Sequence, residues 1–194
     1  MNPIVLDPGV WRGYRMAAFP DRSWSVEGSV LHALPGAEPV SLVSRDAFGD
    51  FDLSLEWRLA AGGNSGVLYR VTEEADAPWQ SGLEMQLLDD EGHPDGRLPK
   101  TRSGALYGLY PPAVEVRCPP GVFNDARIRV RGTRVEHWLN AACVVRFDMA
   151  SDDFRARVAR SKFAPCPLFA RAGRGHLVLQ HHGEEAWFRN LRLE

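Results

Sequence analysis

Residues 50–60, DFDLSLEWRLA, decide the fold. Phe51, Leu53, Leu55, Trp57 and Leu59 alternate with Asp52, Ser54, Glu56 and Arg58, the two-residue period of a strand with one face on a core and the other in water. The alternation returns at 126–140, ARIRVRGTRVEHWLN, where Ile128 and Val130 precede Gly132–Thr133 and Val135 and Leu139 follow. A two-residue loop with Gly first suits a type II′ hairpin. Further strands are expected at 23–28 (SWSVEG), 29–34 (SVLHAL), 41–45 (SLVSR), 66–71 (GVLYRV), 83–88 (LEMQLL), 142–148 (ACVVRFD), 175–182 (GHLVLQHH) and 186–194 (AWFRNLRLE), bounded by Gly, Pro, Asn or Asp. About ten short strands with little helix between them predict an antiparallel sandwich or barrel. One helix is expected over 152–163, DDFRARVARSKF, capped by Ser151 or Asp152, with Phe154, Val158 and Lys162 on one side.

The apolar residues spread evenly through the 194 positions, so 1–194 reads as one domain. A formal charge of -2, from 23 Lys and Arg against 25 Asp and Glu, sets no field toward nucleic acid or an anionic membrane. The arginines of 127–134 and 155–160 read as solvated faces. Cys118, Cys143 and Cys166 are odd in number and lack C-x-x-C spacing, so free thiols are expected. The start, MNPIVLDPGVW, has no basic segment followed by an apolar run, and no stretch approaches the roughly 18 apolar residues of a membrane span. The expected setting is cytoplasmic and reducing.

If each strand packs its apolar side inward, Glu56 and Arg58, Glu84 and Gln86, Glu136 and Trp138, and Gln180 and His182 lie on the opposite side. On the concave face of a jelly roll such a set makes a sugar groove, where carboxylates and amides bond hydroxyls and an indole stacks on the ring. After Leu88 the chain gathers Asp89, Asp90, Glu91, His93 and Asp95. Asp89, His93 and Asp95 could hold a divalent cation, although neither the calcium-loop pattern nor H-E-x-x-H is matched. Asp90 and Glu91 read as solvated, and Pro94 biases His93 toward extended backbone. His181 and His182 face opposite ways on a strand; the parity of Gln180 selects His182. His137 shares the parity of Val135 and Leu139 and reads as a hydrogen-bonded core histidine. Residues 62–66, GGNSG, read as a tight turn, without the context of a nucleophile elbow.

WRGY near the start, GDFDLSLEWRLAAGGNSGVLYR, LEMQLLDDEGHPD, SGALYGLYPP, RVEHWLN, SKF and LQHHGEEAWFRNLRL, in this order over nearly the whole chain, closely resemble the 3-keto-disaccharide hydrolase family. The resemblance implies an all-β, concanavalin A-like antiparallel jelly-roll β-sandwich and cleavage of 3-keto-glycosides, with a small-molecule carbohydrate as the partner. It carries over to Glu56, Asn64, Ser65, Gly66, Arg70, Glu84, Gln86, Asp89, His93, Asp95, Gly104, Tyr107, Glu136, His137, Trp138, Asn140, Lys162, Gln180, His182, Gly183, Arg189 and Asn190, several of them fold residues. Two departures stand out: relatives often begin with an export signal, and where they tend to carry Asp before the final His-Gly this chain has His181.

A ketone at carbon 3 acidifies the C2–H, so elimination of the C1 substituent followed by addition of water gives net hydrolysis. Glu84, His93, Glu136 and His182 are the candidates for acid and base. Arg70, Lys162 or a cation near Asp89 and His93 could meet the enolate oxygen. Glu56, Asn64, Gln86, Tyr107, Trp138 and Gln180 complete the expected sugar contacts. The alternatives are a two-carboxylate glycoside hydrolase, weakened by the lack of an E-x-D-x-E strand, and a non-catalytic carbohydrate-binding module.

Overall fold

The computed structural model describes residues 4, 5 and 8–194. In chain order the strands are β1 (Ile4–Val5), β2 (Trp11–Gly13), β3 (Trp24–Glu27), β4 (Val30–Ala33), β5 (Leu42–Phe48), β6 (Phe51–Leu59) and β7 (Asn64–Val71). They continue with β8 (Leu83–Leu88), β9 (Asn124–Arg131), β10 (Arg134–Leu139) and β11 (Ala142–Asp148); after helix α1 (Asp152–Ala159) come β12 (Gly175–Leu179) and β13 (Ala186–Leu193). One sheet has the order β11-β10-β9-β6-β13-β4-β3, with β1 also paired to β13; the other runs β2-β5-β12-β7-β8. All of these pairings are antiparallel, and the two sheets make the expected jelly-roll sandwich. No helix among the described residues is long and apolar enough to cross a membrane.

The inward side chains of β6 meet those of the smaller sheet in one core, where Phe51, Leu53, Trp57, Tyr69, Met85, Leu177 and Phe188 are buried. β7 and β8 differ from the water-facing strands, since every residue of both is buried. Their outward side is covered too: Leu68, Val71 and Val178 form a second apolar cluster, against which Trp79 packs. Alternation is therefore cleanest in the larger sheet, whose outer face meets solvent.

The β9–β10 hairpin turns at Gly132, φ 57°, while Thr133 is not left-handed. That combination matches the type II′ expectation, because type I′ would need both residues at positive φ. The remaining local readings shift in three places. Asn64, Ser65 and Gly66 belong to β7, and the turn is made by residues 60–63, closed by Gly63 N–H donating to Ala60 O at 3.0 Å. Helix α1 stops at Ala159, with Ser151 as its N-cap accepting from Phe154 N–H at 3.1 Å, so Lys162 lies beyond it. Strand β12 ends at Leu179, before the histidine pair.

His137 is fully buried. Its Nδ1 faces the carbonyl of Gly104 at 3.1 Å, which can only accept, so Nδ1 carries the proton and Nε2 accepts from Tyr69 O–H at 2.9 Å. Burial pushes its pKa down to about 4. The neutral ring thus contributes stability in full above its ordinary 6.5, a contribution lost as pH falls through 4. Tyr69→Phe should cost about 1–3 kcal/mol by leaving Nε2 without a donor. Denaturant unfolding measures this, and an unchanged midpoint would contradict the pairing.

Candidate active site

On the outward face of the smaller sheet, three neighbouring strands bring polar groups together. Gln86 lies opposite Gly66 and Glu84 opposite Leu68 in the β7–β8 register, while Gln180 N–H donates to Gly66 O at 2.9 Å just past β12. Gly66 leaves the room that Glu84 fills, since a Cβ there would stand 2.4 Å from Glu84 Oε1. Gln180 hydrogen-bonds the Glu84 carboxylate, and Gln86 Nε2 donates to Asn64 Oδ1 at 3.2 Å. The side-chain oxygens of Gln86 and Gln180 are buried and have no donor. Two such acceptors in one floor call for hydroxyl or amide donors from a ligand or from water.

Glu84 is 7% exposed, and burial lifts its pKa to about 7, against the pull of the Lys162 ammonium and the Gln180 hydrogen bond. The charge of Asp95 pushes it up further. Lys162 Nζ lies 4.2 Å from the ring centre of Tyr107, 5.2 Å from Trp79 and 5.3 Å from Phe163. These rings fix the ammonium through cation–π attraction without neutralising it. Tyr107 O–H donates to Asp95 Oδ2 at 3.1 Å, and burial and that carboxylate hold the phenol up at about 12, fully protonated near neutrality.

The segment 89–110 supplies the wall. Leu106 bridges to Met85 and Tyr110, Gly104 N–H donates to Gln86 O at 2.8 Å, Gln86 N–H to Ala105 O at 3.1 Å, and Tyr107 N–H to Glu84 O at 3.0 Å. This segment thus covers the free edge of β8 and carries Tyr107 to the site. His93 caps a short 3-10 turn, its Nδ1 accepting from Asp95 N–H at 3.1 Å, so in the neutral ring the proton sits on Nε2. His93 and His182 meet edge to face, centroids 6.3 Å apart, and His182 Nδ1 pairs with Glu184 Oε2 at 2.9 Å. His181 is buried: its Nε2 faces Leu34 O at 3.1 Å and its Nδ1 accepts from Gly183 N–H at 3.1 Å.

The expected metal trio does not converge. Asp89 accepts Gly62 N–H at 2.8 Å on one oxygen and the N–H groups of Glu91 and Gly92 on the other, which makes it the organiser of a turn. His93 Nδ1 and Asp95 Oδ2 are engaged as described, and among the described residues no group of three or more His, Cys, Asp and Glu is placed to hold a metal ion. Asp90 is half-buried and accepts Ser103 N–H at 2.8 Å, whereas Glu91 is exposed. The three cysteines are free thiols.

Four other expected contacts lie elsewhere. Glu56, Glu136 and Trp138 point away from the core, but from the larger sheet, on the far side of the sandwich. There Arg189 Nε donates to Glu56 Oε2 at 2.7 Å, Arg146 Nε to Glu136 Oε1 at 2.8 Å, and Trp138 Nε1 to Glu136 Oε2 at 3.2 Å. Arg70 has φ 55°, leaves the alternation of β7 and donates from Nη2 to Gly132 O at 2.6 Å, at the β9–β10 turn. Sequence reading gave no role to Trp79 or to Phe163, the last residue of the expected helix; the clue was their place beside Pro78 and Lys162.

The model of the 3-keto-alpha-glucoside-1,2-lyase-like domain matches residues 6–194. The chain belongs to that family. A 3-keto-disaccharide hydrolase of Bacteroides thetaiotaomicron is 28% identical over 214 aligned positions, covering 95% of this chain and 73% of the relative. A solved structure from Parabacteroides distasonis ATCC 8503, provisionally assigned as a glycosyl hydrolase, superposes with a TM-score of 0.89 at 27% identity, covering 97% of this chain and 89% of that one. A carbohydrate-binding module of Bacillus subtilis shares the fold at a TM-score of 0.61 and 11% identity, with 95% of each chain covered.

Proposed function

We propose that this member of the 3-keto-alpha-glucoside-1,2-lyase-like family cleaves glycosidic bonds, and that its substrates are 3-keto-glycosides opened by elimination and hydration. The observation that carries the reading is Glu84: a buried carboxyl poised near pH 7, beside a caged lysine and over a floor with two acceptors awaiting donors. Such a pKa suits a group that takes a proton and returns it within one turnover.

In the proposed reaction, the Glu84 carboxylate takes the C2 proton and the electrons of that bond flow toward the C3 ketone. The Lys162 ammonium meets the negative charge that develops on the ketone oxygen. The C1–O bond then breaks, its electron pair leaving on the aglycone oxygen, which takes the proton that Glu84 removed from C2 while the Nε2–H of His93 donates a hydrogen bond to it. Water then adds to C1 of the resulting enone, its proton passing through the Glu84 carboxylate to C2, so Glu84 ends as it began and the products are a free 3-keto sugar and the aglycone alcohol. Gln86 and Gln180 accept from sugar hydroxyls, and His182 with Glu184 borders His93. Each proton transfer contributes roughly 10²–10⁴-fold.

Incubation with matched oxidised and unoxidised glycosides tests the reading. Release from the 3-keto sugar alone is expected. Release from both would point to a two-carboxylate hydrolase, and binding without release to a carbohydrate-binding module. With the keto substrate, kcat/KM should rise with pH through about 7 as free Glu84 loses its proton; a profile flat across neutrality would remove Glu84 as the base.

Gly66→Ala separates position from presence. The added methyl would meet the flexible end of Glu84, so the fold should hold while the carboxylate moves. A displacement of about 1 Å should lower kcat on the order of 10²-fold. A melting temperature near the parent's with full turnover would show that the Glu84 position is not critical.

A further inference from the structure

The groups on the far side of the sandwich form a second built surface. Glu56, Asp125, Arg127, Trp138, Asn190 and Arg192 border one hollow on the outer face of the larger sheet. Among the tryptophans, Trp11, Trp24 and Trp57 are buried, Trp187 is sandwiched by His32 and Arg58, and Trp79 faces Lys162. Trp138 is half-buried, and among the described residues no aromatic ring or cation packs on its face. Its indole N–H is tied to Glu136, which holds the ring in one orientation.

The polar border is equally fixed. Glu56 is held by Arg189 and by Asn190, whose φ of 54° turns its amide to the carboxylate. Arg127 donates Nε and Nη2 to Asp52 at 2.6 Å each, which leaves its Nη1 hydrogens for another acceptor. Groups already immobilised lose little entropy when a ligand arrives. The charges around the hollow balance, Glu56 and Asp125 against Arg127 and Arg192, so it attracts neither an anion nor a cation. An indole face beside matched donors and acceptors suits a neutral polyhydroxylated ring, whose hydroxyls both give and accept hydrogen bonds.

We infer that the outer face of the larger sheet is a second, non-catalytic carbohydrate site for neutral oligosaccharides, centred on Trp138. Packed sheets lie roughly 10 Å apart, so one sugar ring cannot bridge this face and the Glu84 site. The inference does not depend on the reaction proposed above, because it concerns sugars that need not be oxidised.

The test is an NMR titration of the intact ¹⁵N-labelled protein with maltotriose, cellotriose and, as an anionic control, trigalacturonate. The Trp138 indole signal is identified by its absence in Trp138→Phe. A saturable shift of that signal with a neutral trisaccharide is expected. In Arg192→Gln, an exposed position safe for folding, the affinity should weaken about tenfold, as for one lost charge-assisted hydrogen bond. No shift with either neutral sugar, unchanged affinity in Arg192→Gln, or tighter binding of trigalacturonate would overturn the inference.

Discussion

Glu84→Gln should lower kcat on a 3-keto-glucoside by roughly 10²–10⁴-fold while making the protein more stable at pH 8. The two effects share a cause. Folding buries a carboxyl whose pKa rises from its ordinary 4.5 to about 7, so the folded state holds this proton more tightly than the unfolded chain. The stabilisation it brings is fully present below the unfolded value and is lost as pH rises toward 7; above that, the protein carries a buried carboxylate at a cost of about 3 kcal/mol. The amide variant escapes that cost, so its melting temperature should exceed the parent's at pH 8 and the gap should narrow on acidification. His137 works in the opposite direction over much of the same range, so the parent's stability should vary little with pH there and the variant should lose stability as acid is added. Turnover undiminished in the variant would dismiss Glu84 as the base; a melting temperature unchanged at pH 8 would show that its burial is not costly.

The second large effect is expected at Lys162. Lys162→Met keeps much of the length and apolar stem but removes the ammonium, and loss of one preorganised oxyanion partner costs on the order of 10²–10³ in kcat. It should also move the ionisation seen in the pH–rate profile upward, because the lysine charge holds Glu84 below the value its burial would give. A purely structural lysine would give neither the upward displacement nor a loss confined to kcat. If rate and profile both match the parent, the enolate charge must be met by another group.

Most of the sandwich was legible because β6, β9 and β10 each have one wet and one dry face, which leaves the two-residue period plain. Parity also identified which side chains avoid the core. It could not say which sheet a strand joins, since pairing is a long-range choice that leaves no mark in local alternation. That is why Glu84, Gln86 and Gln180 meet whereas Glu56, Glu136 and Trp138, of the same parity, stand behind them. Arg70 was misplaced for a local reason: its left-handed backbone interrupts the period, and no glycine or asparagine advertised it. The overrun of α1 toward Lys162 arose because no glycine or proline follows Ala159 until Pro165. The role of 89–110 was hidden because its backbone pairs with β8 through bridges and turns that impose no periodicity on the side chains.

The stitching of residues 104–107 to β8 bears on how a substrate can arrive. Tyr107 is joined by its own amide to Glu84, and Leu106 beside it is sealed in the interior, so neither can swing out without tearing strand pairing and exposing the core. Admission by a flap at that rim would amount to local unfolding. A sugar must instead reach Glu84 past the other borders of the site, so its capture does not wait on a swing of Leu106 and Tyr107.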